Sequence, residues 1–285
     1  MNKEILIGAH LSVSGGIENA IDKAVELKCR VLQVFTKNAR QWTPPPLKEE
    51  NIARFIEKQK EAKLIIASHD SYLINLAIVD KEKRRKSIAS FTEELKRAKL
   101  LDIPFLVFHP GVANEVPDVN EGIKLIVEAL NETIEKSENE NTKILLETTA
   151  GQKHSIGHTF QQLRDIIDKS KYKEKLAVCF DTCHVFAAGY NIKIREGYEK
   201  TIEEFDKILG LKLLSFFHFN DSKGDLGLHL DRHEHIGKGK LGLDPFRFIL
   251  NDKRFEKIGK CLETPKGDDD EMDEVNLEVL RSLVK

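Results

Sequence analysis

No stretch of this 285-residue chain approaches the ~18 consecutive apolar residues that a membrane-spanning helix needs. The opening run MNKEILIGAHLS turns polar after a few apolar residues. That is the pattern of a first strand rather than of a secretory leader, and it predicts a cytoplasmic protein. Cysteine is scarce. Cys29, Cys179, Cys183 and Cys261 are the four, with no CxxC pair, so no disulfide framework is indicated and they read as free thiols of a reducing compartment. An excess of one charge is also missing. Lys+Arg total 45 and Asp+Glu 47, a net charge of -2, which excludes a globally basic nucleic-acid binder but not a local basic face. No Gly/Ser-rich linker divides the chain and no solenoid-period repeat occurs, so residues 1–285 are expected to form one domain. What is present is 40% hydrophobic and 32% charged residues, enough apolar content for a core and too much for disorder.

Eight short apolar runs stand out, at residues 5–9, 31–35, 64–68, 105–108, 143–146, 176–180, 213–217 and 258–262. Several are apolar nearly throughout, as parallel strands covered on both faces are. Amphipathic stretches follow at 17–27, 49–62, 83–100, 119–137, 159–170, 197–208, 245–250 and 272–284. Thr159 with Gln162 has the spacing of a capping box. Eight strand-then-helix units are the arithmetic of a single (β/α)8 TIM barrel, an α/β fold. A doubly wound open sheet is the alternative, because strand order is invisible in sequence. The longest turn-rich segment, residues 220–243, is rich in Gly, Asp and His, and a loop of that length is more often functional than idle.

Residues with metal-ligand chemistry recur where these strands end: His10, His69, His109, Glu147, Asp181 with His184 three residues on, His218 and Glu263. The long loop adds Asp231 and His233. In a barrel all would converge on the C-terminal face, where such folds place their chemistry. Any one strand-end histidine is more often a hydrogen-bonded core residue. The set is different, because buried carboxylates and imidazoles are costly unless paired or coordinated. Imidazole with carboxylate favours Zn, Mn or Fe, and carboxylates can bridge two ions. About nine such groups exceed one tetrahedral site and suit two or three ions. Clusters of this kind hydrolyse phosphate esters. Cys183 is expected to pack rather than ligate, since strand alternation would turn it away from His184. His10 stands between ligand and support for a ligand, and His154, His158, His229 and His235 carry no ligand signature.

Three loops suggest a polymer substrate. Lys37-Asn38-Ala39-Arg40-Gln41-Trp42 precedes Pro44-Pro45-Pro46, a stiffened loop in which Arg beside amides and an aromatic suits phosphate and base contact. An ordinary solvated loop with Trp42 packed beneath fits that stretch equally well. Tyr72 and Leu73, just past His69, could wedge into a base stack or simply cover the barrel mouth. Lys223, Arg232, Lys238 and Lys240 would rim an acidic centre with positive charge. Lys81–Lys86 reads as a solvated helix face.

At this point the motifs resemble a known family, endonuclease IV (deoxyribonuclease IV), the metal-dependent apurinic/apyrimidinic endonucleases of base-excision repair. The likeness runs from Gly8-Ala9-His10 to Glu263-Thr264-Pro265. Its most specific pieces are Phe180-Asp181-Thr182-Cys183-His184-Val185-Phe186-Ala187-Ala188-Gly189-Tyr190, His218-Phe219-Asn220-Asp221-Ser222-Lys223 and Asp231-Arg232-His233-Glu234-His235-Ile236-Gly237. The resemblance implies a TIM barrel with about three zinc ions, with Mn2+ an option in part. It implies one ion on His69 and His109, a second on Asp181, His218 and Glu263, Glu147 bridging them, and a third on His184, Asp231 and His233. Glu147 and Glu263 would be catalytic. Arg40, Tyr72 and Leu73 match residues that enter DNA at the lesion, and Asn38 and Gln41 match as further contacts. The substrate implied is double-stranded DNA with abasic sites or blocked 3′ ends. A monomer fits the single-site reading, and no membrane partner is expected. The chain departs from the family pattern at Lys153, where glycine is expected, and at Ala39, where a more polar residue is. A sugar isomerase on a related barrel and a non-catalytic binder of damaged DNA are the competing readings. The third ligand set and the Arg40 and Tyr72 loops count against the first, and the complete ligand set against the second.

Overall fold

The computed structural model describes residues 5–116, 118–267 and 271–285, so the first four residues of the opening run lie outside the described residues. The eight apolar runs form β1 (Ile7–His10), β2 (Val31–Phe35), β3 (Ile65–His69), β4 (Phe105–Phe108), β5 (Lys143–Glu147), β6 (Leu176–Asp181), β7 (Leu214–Phe219) and β8 (Gly259–Leu262). Each pairs in parallel with its sequence neighbours, and β1 pairs with β8 to close a barrel. Closure decides against the open sheet. Helices α1 (Asn19–Glu26), α2 (Glu49–Ala62), α3 (Lys81–Leu100), α4 (Val119–Ser137), α5 (Phe160–Lys169), α6 (Thr182–Ala188), α7 (Arg195–Ile208), α8 (Asp244–Leu250) and α9 (Glu271–Ser282) accompany them.

Strand alternation divides the apolar residues into two bodies. Val31, Ala67, Val107, Leu145, Ala177, Cys179, Phe216 and Cys261 fill the barrel interior, while a much larger cluster lies between strands and helices. Side chains on a strand repeat their direction every second residue. Two residues beyond seven of these interior positions come Gln33, His69, His109, Glu147, Asp181, His218 and Glu263. The candidate ligands are therefore the next layer of the same inward-facing stack, resting on a closed apolar floor.

Five of the strands, β1, β3, β5, β6 and β7, run one or two residues further than their apolar runs predict. Asp181 sits opposite His218 and Glu147 opposite Cys179 within the ladders. Polar side chains interrupt the hydropathy signal without interrupting backbone pairing, so His10, His69, Glu147, Asp181 and His218 lie in strands rather than after them. Helix α6 has no amphipathic signature because Thr182 to Ala187 are all buried. The capping box at α5 is half formed. Thr159 accepts from the Gln162 amide at 3.3 Å, but Gln162 Oε1 accepts from the Gly157 N–H at 2.8 Å instead of closing the box.

The 220–243 segment is ordered by a short antiparallel pair, Asp221–Ser222 with His233–Glu234. The buried Asp221 carboxylate accepts from the N–H groups of Ser222, Leu241, Gly239 and Gly242 at 2.7–3.2 Å. Gly239 is required there, since a Cβ would stand 2.4 Å from the Ser222 carbonyl oxygen. This knot folds Asp231 and His233 back over the barrel mouth.

Candidate metal centre and its rim

The inward layer, with α6 and the 220–243 loop, brings the sequence-predicted ligands into three groups whose ligand atoms lie within 4.8 Å of one another: His69, His109 and Glu147; Glu147, Asp181, His218 and Glu263; and His184, Asp231 and His233. Glu147, fully buried, is shared by the first two. Its Oε2 lies 3.1 Å from His69 Nε2 and 3.2 Å from His109 Nε2, and its Oε1 2.9 Å from His218 Nδ1. His218 Nδ1 is also 3.2 Å from Glu263 Oε2. In the third group His184 Nε2 is 3.1 Å from Asp231 Oδ1 and 3.4 Å from His233 Nε2.

Most of these imidazoles have their outward nitrogen occupied. His69 Nδ1 donates to the Asp70 carbonyl at 3.0 Å, His184 Nδ1 to Thr148 at 2.8 Å and His233 Nδ1 to Glu263 at 3.0 Å. His218 Nε2 donates instead to the side chain of Gln33, at 2.8 Å. Each ring then turns its other nitrogen, lone pair inward, toward carboxylate oxygens. Fixing the tautomer from behind is how metal-binding histidines are held.

A shell made of carboxylate oxygens and inward lone pairs holds together only around positive charge. In the protein alone, protons supply it. Burial opposes a charged imidazole, yet Asp181 and Asp231 raise the His184 pKa well above its ordinary value, and Asp70 and Glu147 do the same for His69. Burial would raise Glu147, but His218 and His109 hold it well below the usual carboxylate range. Divalent cations fit the same place, because imidazole and carboxylate donors of this number suit Zn2+ or Mn2+.

His10 lies beside this layer. Burial lowers its pKa to about 4 despite Glu263 at 3.4 Å, and its Nε2 has no hydrogen-bond partner among the described residues. Cys183 does not follow the alternation argument, because the chain is helical at α6 rather than extended. Its Sγ lies near Asp181 and His233, yet donates to the Arg232 carbonyl at 3.7 Å, and burial pushes the thiol up to about 12. His158, His229 and His235 are occupied elsewhere, on the Ser155 and Ala150 carbonyls and on Asn276.

Above the layer opens a cleft of about 710 Å³ lined by His10, Phe35, Tyr72, Lys223, Asp231, Arg232, Glu263 and Lys266, among others. Lys238 and Lys240, expected on this rim, are not among its lining residues; Lys266 is. Tyr72 is 76% exposed, with its ring 5.4 Å from Phe35, and Leu73 is half-buried beside it. Arg40, Asn38 and Gln41 are exposed. Asn38 shapes its own turn, accepting from the Arg40 N–H at 2.9 Å, and Ser71 Oγ donates to the Ala39 carbonyl at 2.6 Å, tying the Arg40 loop to the Tyr72 loop. Trp42 is not packed beneath its loop; it lies in a groove against α3, 37% exposed.

Sequence reasoning missed what holds these groups. Lys37 Nζ forms a fully buried ion pair with Glu94 of α3 at 3.1 Å and donates to the Gln41 carbonyl at 2.9 Å, and Arg97 donates to the Thr36 and Pro45 carbonyls. Asn220 donates to Asp181 Oδ2 at 2.6 Å and accepts from the Glu263 N–H at 2.9 Å. Gln152 Oε1 accepts from the Asp231 N–H at 2.9 Å. Gln33 was readable in principle, as a polar residue at an inward position of a strand with apolar neighbours.

Residues 21–283 match the family model described as the xylose isomerase-like TIM barrel. The chain is 50% identical over 281 residues to "Probable endonuclease 4" of Geobacter sulfurreducens, covering 98% of this chain and 94% of that protein. It is 48% identical over 282 residues to the protein of the same description from Citrifermentans bemidjiense, covering 98% and 99%. The crystal structure of endonuclease IV from Thermus thermophilus superposes with a TM-score of 0.87 at 32% identity, over 97% of this chain and 98% of that one. With the barrel, the inward ligand layer and these relatives in agreement, the chain belongs to the endonuclease IV family of xylose isomerase-like TIM barrels.

Proposed function

We propose that this enzyme hydrolyses the phosphodiester 5′ to an abasic site in duplex DNA, leaving a 3′-hydroxyl and a 5′-deoxyribose phosphate, and trims blocked 3′ ends. One observation carries the reading: two ligand groups on the inward strand layer sharing Glu147, with a third from α6 and the 220–243 loop folded beside them, at the floor of an open cleft. His69 and His109 would hold one zinc ion, Asp181, His218 and Glu263 a second, with Glu147 between them, and His184, Asp231 and His233 a third; Mn2+ is compatible with part of the set. Bound ions supply Lewis acidity, which makes water a nucleophile at neutral pH and offsets charge on the phosphate.

The chain's own residues do the rest. Among the second group, only Glu263 lines the open cleft, so it is the carboxylate that can hold the attacking water against the scissile phosphate. Lys223 and Arg232 on the rim meet the anionic backbone. Tyr72 and Leu73 fill the space left by the flipped-out sugar, and Arg40 neutralises a phosphate, with Asn38 and Gln41 shaping that contact. Extrusion is cheapest where no base stacks, which favours the abasic site. The competing sugar-isomerase reading has no use for the third group or for an exposed Tyr72. We further propose that residues 1–285 act as one monomeric catalytic unit in the cytoplasm; no helix among the described residues is long and apolar enough to cross a membrane.

The test is a duplex carrying one synthetic abasic site, incubated with the protein before and after chelation, with metal content measured in parallel. Cleavage 5′ to the site, lost on chelation and restored by zinc, with about three ions per chain, is expected. No cleavage by metal-loaded protein overturns the reading, and a reproducible content near one ion overturns the three-ion arrangement.

A further inference from the structure

Gln33 is wholly buried, and each of its amide atoms contacts a member of the candidate metal centre or its neighbour His10. Its Nε2 donates to Glu263 Oε1 at 2.6 Å and lies 3.0 Å from His10 Nδ1; its Oε1 accepts from His218 Nε2 at 2.8 Å. The orientation is dictated by chemistry. The flipped amide would set its carbonyl oxygen against the Glu263 carboxylate oxygen. We propose that Gln33 is a positioning residue that decides which atoms of His218 and Glu263 face the metal centre, an inference that rests on the metal reading above.

Accepting a hydrogen bond from His218 Nε2–H keeps the proton on that nitrogen and leaves Nδ1 to present its lone pair, the atom that lies 2.9 Å from Glu147 Oε1. Donating to Glu263 Oε1 commits that oxygen and leaves Oε2 toward His218, 3.2 Å away. One amide thus sets two neighbouring donors of the same group at once. The other three oriented histidines use backbone carbonyls for this purpose, which no substitution can remove. At His218 the task falls to a side chain, so it can be tested by substitution. Gln33 reaches the site because β2 contributes the same inward layer as the ligand-bearing strands, two residues beyond Val31 in the barrel floor.

The experiment compares Gln33→Met, similar in size but unable to make these bonds, with the parent in zinc competition against a chelating indicator. Imidazole 15N spectra and the thermal midpoint of the metal-free protein are recorded alongside. One ion is expected to bind about 10- to 100-fold more weakly while the others keep parental affinity, the His218 Nε2–H signal is expected to lose its hydrogen-bonded position, and the metal-free midpoint is expected to fall by no more than the loss of these hydrogen bonds explains. Gln33→Glu separates the two halves: it can still accept from His218 but sets a like charge against Glu263, so the His218 signal should persist while affinity drops. Should Gln33→Met not fold, Gln33→Asn, too short to span both partners, carries the same comparison. Parental affinity for every ion with an unchanged His218 signal overturns the proposal. So does a uniform loss of affinity for all ions, which is the signature of a packing role. A parent protein that binds no divalent ion overturns the metal reading itself, and the role of Gln33 with it.

Discussion

Lys153 is where the chain departs from the glycine expected of its family, and its backbone is left-handed, at φ +50° and ψ +43°. Glycine enters that region at no steric cost, whereas an L side chain is strained there by about 1 kcal/mol. The side chain is exposed, so nothing else is lost with it, and Lys153→Gly is expected to raise stability by about 0.5–1 kcal/mol, read as a shift in the urea midpoint. An unchanged or lower midpoint would show that Lys153 is held there by something other than its backbone. Glu263 is the residue-scale test of chemistry. Glu263→Gln keeps the shape and the contact with the cleft but removes the charge. Turnover on abasic duplex should fall by about 100-fold or more while duplex binding persists. Parental turnover would remove Glu263 from the reacting atoms.

At the scale of elements, the most consequential arrangement is the buried Lys37–Glu94 pair that pins the loop carrying Arg40 to α3. Both side chains are 1% exposed, and Glu94 Oε2 also accepts from Thr36 Oγ1 at 2.7 Å. Removing one partner leaves an uncompensated buried charge, so Glu94→Ala is expected to cost about 3–5 kcal/mol in denaturant unfolding. The paired change Lys37→Met with Glu94→Leu should recover most of that stability. It should not restore the loop, whose Gln41 carbonyl loses its donor, and weakened duplex binding in a stable double variant is therefore expected. A double variant as unstable as Glu94→Ala would mean the site cannot accept apolar packing. The 220–243 loop is organised on the same principle, around the Asp221 carboxylate and its four N–H donors. In both cases a buried charge is the centre of a loop's structure, and most of its partners are distant along the chain.

For the whole molecule, a net charge of -2 means affinity for DNA has to come from one face. Arg40, Tyr72 and Leu73 share that face with the metal centre because the loops after β2 and β3 are neighbours in the barrel and are tied by Ser71 and Ala39. The triple change Arg40→Ala, Tyr72→Ala, Leu73→Ala is expected to keep full metal content and to weaken abasic-duplex binding at least ~10-fold, since inserted side chains offset a few kcal/mol of unstacking. Arg40→Ala alone should lower the salt slope of binding by about one. Parental binding and cleavage by the triple variant would reduce these residues to cover for the barrel mouth. The eightfold alternation, the parallel character of the strands and the recurrence of ligand-type residues at the strand ends could be read from the chain, because periodicity and strand-end position are local properties. Closure of the barrel could not, since pairing of β1 with β8 is a contact between the two ends of the chain. Nor could α6, which is buried all round and so carries no period, nor the roles of Gln33, Asn220, Gln152 and the Lys37–Glu94 pair. Those residues are polar at positions where sequence offers no partner. Their partners lie on other strands and loops, and only the closed barrel brings an amide at residue 33 to a histidine at 218 and a carboxylate at 263.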